Sequence, residues 1–130
     1  MKTPKIINFE NPLCPINYLT KVLGGRWKLH VLCILNNWGT VRFGKIKKKI
    51  GQVSNVMLSQ TLKELERDGI VIRHQYNEVP PHVDYALSKK GKDVLSALFS
   101  LGDWAEKYMR EEEITPACEK CLSDMGKNKW

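Results

Sequence analysis

No stretch of the sequence approaches the run of about 18 apolar residues that a membrane-spanning helix needs. The opening MKTPKIINFENP also has no apolar segment of the kind that directs secretion. The chain is therefore expected in the cytosol, with no membrane partner. A Gly-rich phosphate loop and a Walker sequence are missing as well. His30, His74 and His82 share no metal-ligand spacing, and none stands beside a Ser or Cys in a nucleophile motif. These absences argue against an enzyme and give no reason to expect a cofactor.

Cysteine is scarce too, at four residues, and in a reducing compartment they do not suggest a disulfide framework. Cys118-Glu-Lys-Cys121 has the spacing that chelates zinc or closes a disulfide, but no second C-x-x-C or His pair accompanies it. No metal site is expected, and redox or metal use of this pair stays open as a rival reading. Cys33 falls in an apolar run and reads as a small core residue.

What is present is positive charge, unevenly placed. The formal net charge is +7 over 130 residues. Residues 42–92 hold eleven Lys/Arg against five Asp/Glu, whereas residues 93–130 hold five against eight. A cationic cluster attracts polyanions by displacing their condensed counterions, which makes nucleic acid the first partner to consider. On charge alone a solvated lysine face remains equally open.

The pattern of apolar residues orders the chain as one domain. Pro15 suits the first turn of a helix in which Ile16, Leu19, Val22 and Leu23 recur until Gly24-Gly25. A second helix from near Arg26 or Trp27 is apolar on more than one side, which marks it as central, and Asn36-Asn37 with Gly39 should stop it. Thr40-Val41-Arg42 is at most a strand stub. Phe43, Ile46 and Ile50 then give one face of a short helix whose other positions include Lys45, Lys47, Lys48 and Lys49.

After Gly51-Gln52-Val53, Ser54 is a good N-cap for a helix with Leu58, Leu62 and Leu65 inward and Gly69 as its terminator. Asn55, Val56, Ser59, Gln60, Lys63 and Arg67 lie on or beside its opposite face. Residues 70–76 and 82–87 are β-rich and flank a Pro80-Pro81 tip, which predicts a hairpin. Ser88 can cap one long helix reaching about Arg110. Its stripe of Val94, Leu98, Leu101, Ala105 and Tyr108, widened by Leu95, Phe99 and Trp104, exceeds what one small domain covers. Trp27, Trp38 and Trp104 read as core or interface aromatics.

The fold class expected is mainly α with a small β-hairpin, in the order of a winged helix-turn-helix domain. In such modules the second helix of the turn enters the major groove. That place belongs to the helix from Ser54 to Asp68, whose Asn55, Ser59, Gln60 and Lys63 can address base edges or phosphates.

Residues 14 to 109 resemble an HxlR-type regulator, a MarR-related branch of the winged-helix regulators. The resemblance is carried by CPINYLTKVLGGRWKLHVL, VRFGKIKKKI, SNVMLSQTLKELERDGIVIRHQYNEVPPHVDYALSKKGK and the Trp104 region. Gly-Gly-Arg-Trp-Lys and Glu78-Val-Pro-Pro-His-Val-Asp-Tyr85 are its most specific parts. It implies a homodimer, paired through terminal elements, that binds double-stranded DNA at a palindromic operator and regulates transcription. No residue pattern names an effector. Val56 departs from the Lys or Arg frequent there, His82 from the commoner Arg, and Gly44-Lys45 from a polar and acidic pair.

The DNA-contacting set expected is Arg42, Lys45, Lys47, Lys48, Ser54, Asn55, Val56, Ser59, Gln60, Lys63, Pro80, Pro81 and His82. Cys14 aligns with the cysteine that begins many HxlR-type domains, in some of which it senses redox state. The start of a helix supplies the positive field that favours a thiolate, although a merely structural cysteine is the alternative. Residues 1–13 are expected to form an N-terminal arm, 14–110 the winged domain with its dimerising helix, and 111–130 a flexible tail. The rival of another class is a winged-helix module for protein partners, in which the lysines only solubilise.

Overall fold

The computed structural model describes residues 13–115. The expected N-terminal arm up to residue 12, the tail beyond residue 115 and the Cys118/Cys121 pair lie outside the described residues. Six helices and three strands follow in order: α1 (Pro15–Leu23), α2 (Lys28–Trp38), β1 (Val41–Arg42), α3 (Phe43–Ile50), α4 (Asn55–Arg67), β2 (Val71–Tyr76), β3 (His82–Leu87), α5 (Lys89–Asp93) and α6 (Leu95–Glu111).

The α2 helix is the hub, because Val31, Leu32, Ile34 and Leu35 are all buried. Against it pack Ile46 of α3, Leu58, Leu62 and Leu65 of α4, and Tyr85 and Leu87 of β3, with Val53 sealing the α3–α4 turn. Contiguous apolar burial of this kind is the main favourable term holding the element order together. Helix α2 continues through Asn36 and Asn37 to Trp38 and stops only at Gly39, which has a φ of 76°. The two asparagines are thus helical residues and not the predicted stop.

Helix α4 begins and ends as its sequence dictates. Ser54 Oγ accepts the Met57 N–H at 3.1 Å, satisfying one orphan donor of the first turn. At the other end Gly69, with a φ of 76°, lets the chain reverse. The Ile70 N–H reaches the Leu65 carbonyl at 2.8 Å and the Gly69 N–H reaches Glu66 at 3.0 Å, the paired bonds of a Schellman motif.

The strand stub is a real strand. Sheet order is β1-β3-β2, antiparallel throughout, with Val41 opposite Tyr85, Arg42 opposite Asp84, and Val71 opposite Leu87. A three-stranded sheet therefore replaces the lone hairpin, and its β2–β3 arm forms the wing. The predicted long C-terminal helix is interrupted at Val94. Ser88 caps α5 by accepting the Gly91 N–H at 3.0 Å, and its hydroxyl lies 3.0 Å from the Ile70 carbonyl, so α5 is tied to the α4–β2 corner. Helix α6 touches the core only through the partly buried Leu95 and Leu98, and none of its residues is fully buried.

Candidate nucleic-acid interface

Helix α3 anchors itself through fully buried Ile46, with Phe43 and Ile50 packed beside it. Lys45, Lys48 and Lys49 stay exposed and Lys47 is half-buried. Lys49 Nζ sits 4.4 Å from the centre of the Trp38 ring, a cation–π contact that docks this lysine on the fold. Lys45 and Lys48 are thereby the more outward charges of the run.

On α4, burial of Leu58, Thr61, Leu62 and Leu65 turns Asn55, Val56, Ser59, Gln60 and Lys63 to the surface, as the helical period requires. Val56 is 77% exposed, an apolar group with no role in the core. Arg67 is also outward, but its Nε and Nη2 donate to Asp68 at 3.3 and 3.1 Å. That pairing raises the Arg67 pKa and lowers that of Asp68, so the last-turn charge is internally compensated.

Gln60 Nε2 donates to Glu64 Oε2 at 2.8 Å, and Glu64 Oε1 lies 3.0 Å from Lys28 Nζ. The Gln60 hydrogen bond first, and then Lys28, hold the Glu64 carboxyl below its usual pKa. Lys28 and Glu64 were missed in the sequence. A lysine at the start of the largely apolar α2 was the available signal, because a buried ammonium needs an acidic partner.

The wing presents Pro80 and Pro81 at an exposed tip. His82 sits at its base, with the imidazole stacked on Tyr76 at 4.3 Å between centroids and Nδ1 3.8 Å from Glu78 Oε2. Arg42 leans toward Asp84 of β3, with Nε to Oδ1 at 3.8 Å. Between α4 and the sheet lies a cleft of about 410 Å³ lined by Phe43, Ser59, Lys63, Glu66, Arg73 and Tyr85. Arg73 was also not anticipated; it shares the inward register of Val71, so alternation could have placed it facing α4.

Between α1 and the C-terminal helices lies an apolar groove of about 260 Å³ lined by Leu19, Leu23, Leu29, Val94, Leu98 and Leu101, among others. Leu101 and Trp104 are 61% and 64% exposed. Cys14 stands half-buried just before α1 and accepts the Tyr18 N–H through its carbonyl at 3.2 Å. Cys33 is half-buried, near the core but not within it. Among the described residues no group of three or more His, Cys, Asp or Glu is placed to hold a metal ion, and no helix is long and apolar enough to cross a membrane.

Comparison with known proteins decides the family. The model of the HxlR-like helix-turn-helix family matches residues 22–113. The chain belongs to the HxlR-like family. It is 41% identical over 101 residues to an uncharacterized HTH-type transcriptional regulator of Methanothermobacter thermautotrophicus, covering 78% of this chain and 76% of that one. Among solved structures, it is similar to the redox regulator HypR in its oxidized form, with a TM-score of 0.68, 33% identity and coverage of 72% and 96%. It is also similar to the reduced form of the transcriptional regulator YodB from B. subtilis, with a TM-score of 0.65, 33% identity and coverage of 74% and 94%. This HxlR-like chain is thus a transcriptional regulator with a helix-turn-helix domain, and the family is one of regulators and not of enzymes. Its winged fold is the one expected from the order of its elements.

Proposed function

We propose that the protein binds double-stranded DNA sequence-specifically as a homodimer and so controls transcription from the cytoplasm, without catalysing a reaction. The observation that carries this reading is the outward face of α4. A capped helix held on a buried leucine stripe presents Asn55, Val56, Ser59, Gln60 and Lys63 together, and the exposed lysines of α3 precede it in the chain. The major groove admits such a helix, and side chains of these types reach base edges or phosphates. Ser54 at the helix N-terminus, Lys45, Lys47 and Lys48 on α3, and Arg42 would contact the backbone, while Pro80, Pro81 and His82 would bring the wing to the duplex. Residues 14–110 are the functional domain in this reading.

The homodimer is supported by the apolar groove and by α6, which has no buried residue of its own. Two copies related by a two-fold axis would present two α4 helices to a palindromic operator. A redox response through Cys14 is a further part of the proposal, supported by its position at the start of α1 and by the likeness to a redox regulator. The test is duplex binding measured against salt. A steep linear fall of log affinity with log salt is expected; a flat response would favour a protein-binding module.

A further inference from the structure

Glu64 divides its carboxylate between two helices. One oxygen meets Lys28 Nζ at 3.0 Å and the other accepts from Gln60 Nε2 at 2.8 Å. Lys28 is only 5% exposed, and its ammonium also donates to the Lys21 carbonyl at 3.3 Å. The acid is therefore moored to the α1–α2 frame while its free end holds an exposed amide. An ionised carboxylate can only accept, so the Gln60 carboxamide must turn its NH2 toward Glu64.

The geometry points to Lys28 and Glu64 as positioning residues that hold the Gln60 amide in the orientation that reads adenine. The inference rests on the assignment of α4 to the major groove. With one N–H given to Glu64, Gln60 keeps one N–H and its carbonyl oxygen, a single donor beside a single acceptor. Adenine offers the complement there, the N7 acceptor beside the N6 donor, whereas guanine offers two acceptors. A freely turning amide can give both N–H groups to guanine. A held one cannot, because one of them is already spent. Holding the side chain before DNA arrives also reduces the ordering cost at the contact.

Selection from random duplexes gives the preferred site, and substituting each of its base pairs gives the preference at every position. Wild type should contain an A·T pair whose change to G·C weakens binding roughly ten-fold, and Gln60→Ala should abolish that preference alone. Glu64→Ala and Lys28→Met should erase most of the same preference and leave the others in place. Glu64→Gln, whose carbonyl still accepts from Gln60, should retain it. Because Glu64→Ala removes a negative charge, it should bind non-specific duplex as well as wild type or better, which a folding defect would not produce. Should Lys28→Met fail to fold, the two Glu64 variants decide alone.

Full retention of the Gln60-dependent preference in Glu64→Ala would overturn the positioning role. Selective binding that Gln60→Ala does not alter would overturn the inference and leave the DNA-binding reading standing. Absence of salt-dependent duplex binding in wild type would remove that reading, and the inference with it.

Discussion

Gly91 lies so close to the carbonyl of Ile70 that a methyl group on its Cα would collide with it and press on Leu87. This contact, with the Ser88 hydroxyl beside the same carbonyl, joins α5 to the corner where α4 ends and β2 begins. The end of α4 and the start of the C-terminal helices thereby share one small junction.

Gly91→Ala should destabilise the fold by about 1–3 kcal/mol, the usual cost of overpacking against a backbone that cannot move freely. Denaturant unfolding measures it. Gly44→Ala is the control, since nothing lies within 4 Å of a Cβ added there. Equal stability of the two variants would show that the junction yields.

Stability should fall with acid in a way set by Glu64 and Asp68. Both carboxyls are depressed in the fold, Glu64 by Gln60 and Lys28 and Asp68 by Arg67, relative to ordinary values of 4.5 and 3.8. A depressed acid binds its proton more weakly when folded, so its contribution is fully present above the ordinary value and is lost as pH drops through the folded one. The melting temperature should therefore decline below pH 4.5, and Glu64→Gln should decline less over that range. Parallel profiles would mean that the Glu64 pair contributes nothing to acid sensitivity.

Neutralising Lys47 and Lys48 to Gln should weaken binding to every duplex and reduce the slope of log affinity against log salt by about 2. Base preference should persist, because phosphate contacts position the protein without reading sequence. Fluorescence anisotropy over a salt series gives both quantities. A changed preference with an unchanged slope would mean that these lysines face the bases.

Replacing Leu98 and Leu101 by Glu should give monomers by light scattering, since both line the apolar groove between α1 and α6. Charges desolvated in a dimer seam without partners are strongly unfavourable. A dimer that survives both changes would move the interface elsewhere.

Much of this was legible from local chemistry. The caps at Ser54 and Ser88, the Gly69 terminator and the leucine stripe of α4 are decided within a few residues, and each sits where the sequence places it. The missed features are those that depend on residues distant in the chain. Val41 became a strand only because Tyr85 supplies its partner, and the helix after Ser88, whose N-cap is tied to Ile70, is broken at Val94 with no local signal for the break. Lys28 and Glu64 are separated by 36 positions, so their pairing had no local signature beyond a lysine in a largely apolar helix. His82 reads in the sequence only as a departure from the commoner Arg after the Pro-Pro tip, and the stacking of its ring on Tyr76 of the neighbouring strand has no local signature.

If two copies pair through α1 and α6, the two α4 helices should address half-sites about one helical turn apart, on the order of 34 Å. Cys14 precedes α1 directly, and Leu19 and Leu23 of that helix line the groove assigned to the partner copy. Oxidation at Cys14 would then alter the packing of α1 and shift the separation of the α4 helices without touching a DNA contact. Bidentate base contacts tolerate little displacement, so operator affinity should change while the salt slope stays near its reduced value. The comparison is operator affinity of wild type, Cys14→Ser and the Cys118→Ser/Cys121→Ser pair, before and after mild oxidant. A response lost only in Cys14→Ser assigns the sensor to Cys14. A response that survives in Cys14→Ser and disappears in the tail variant transfers it to the C-x-x-C pair. No response in any variant would reject a cysteine-based signal.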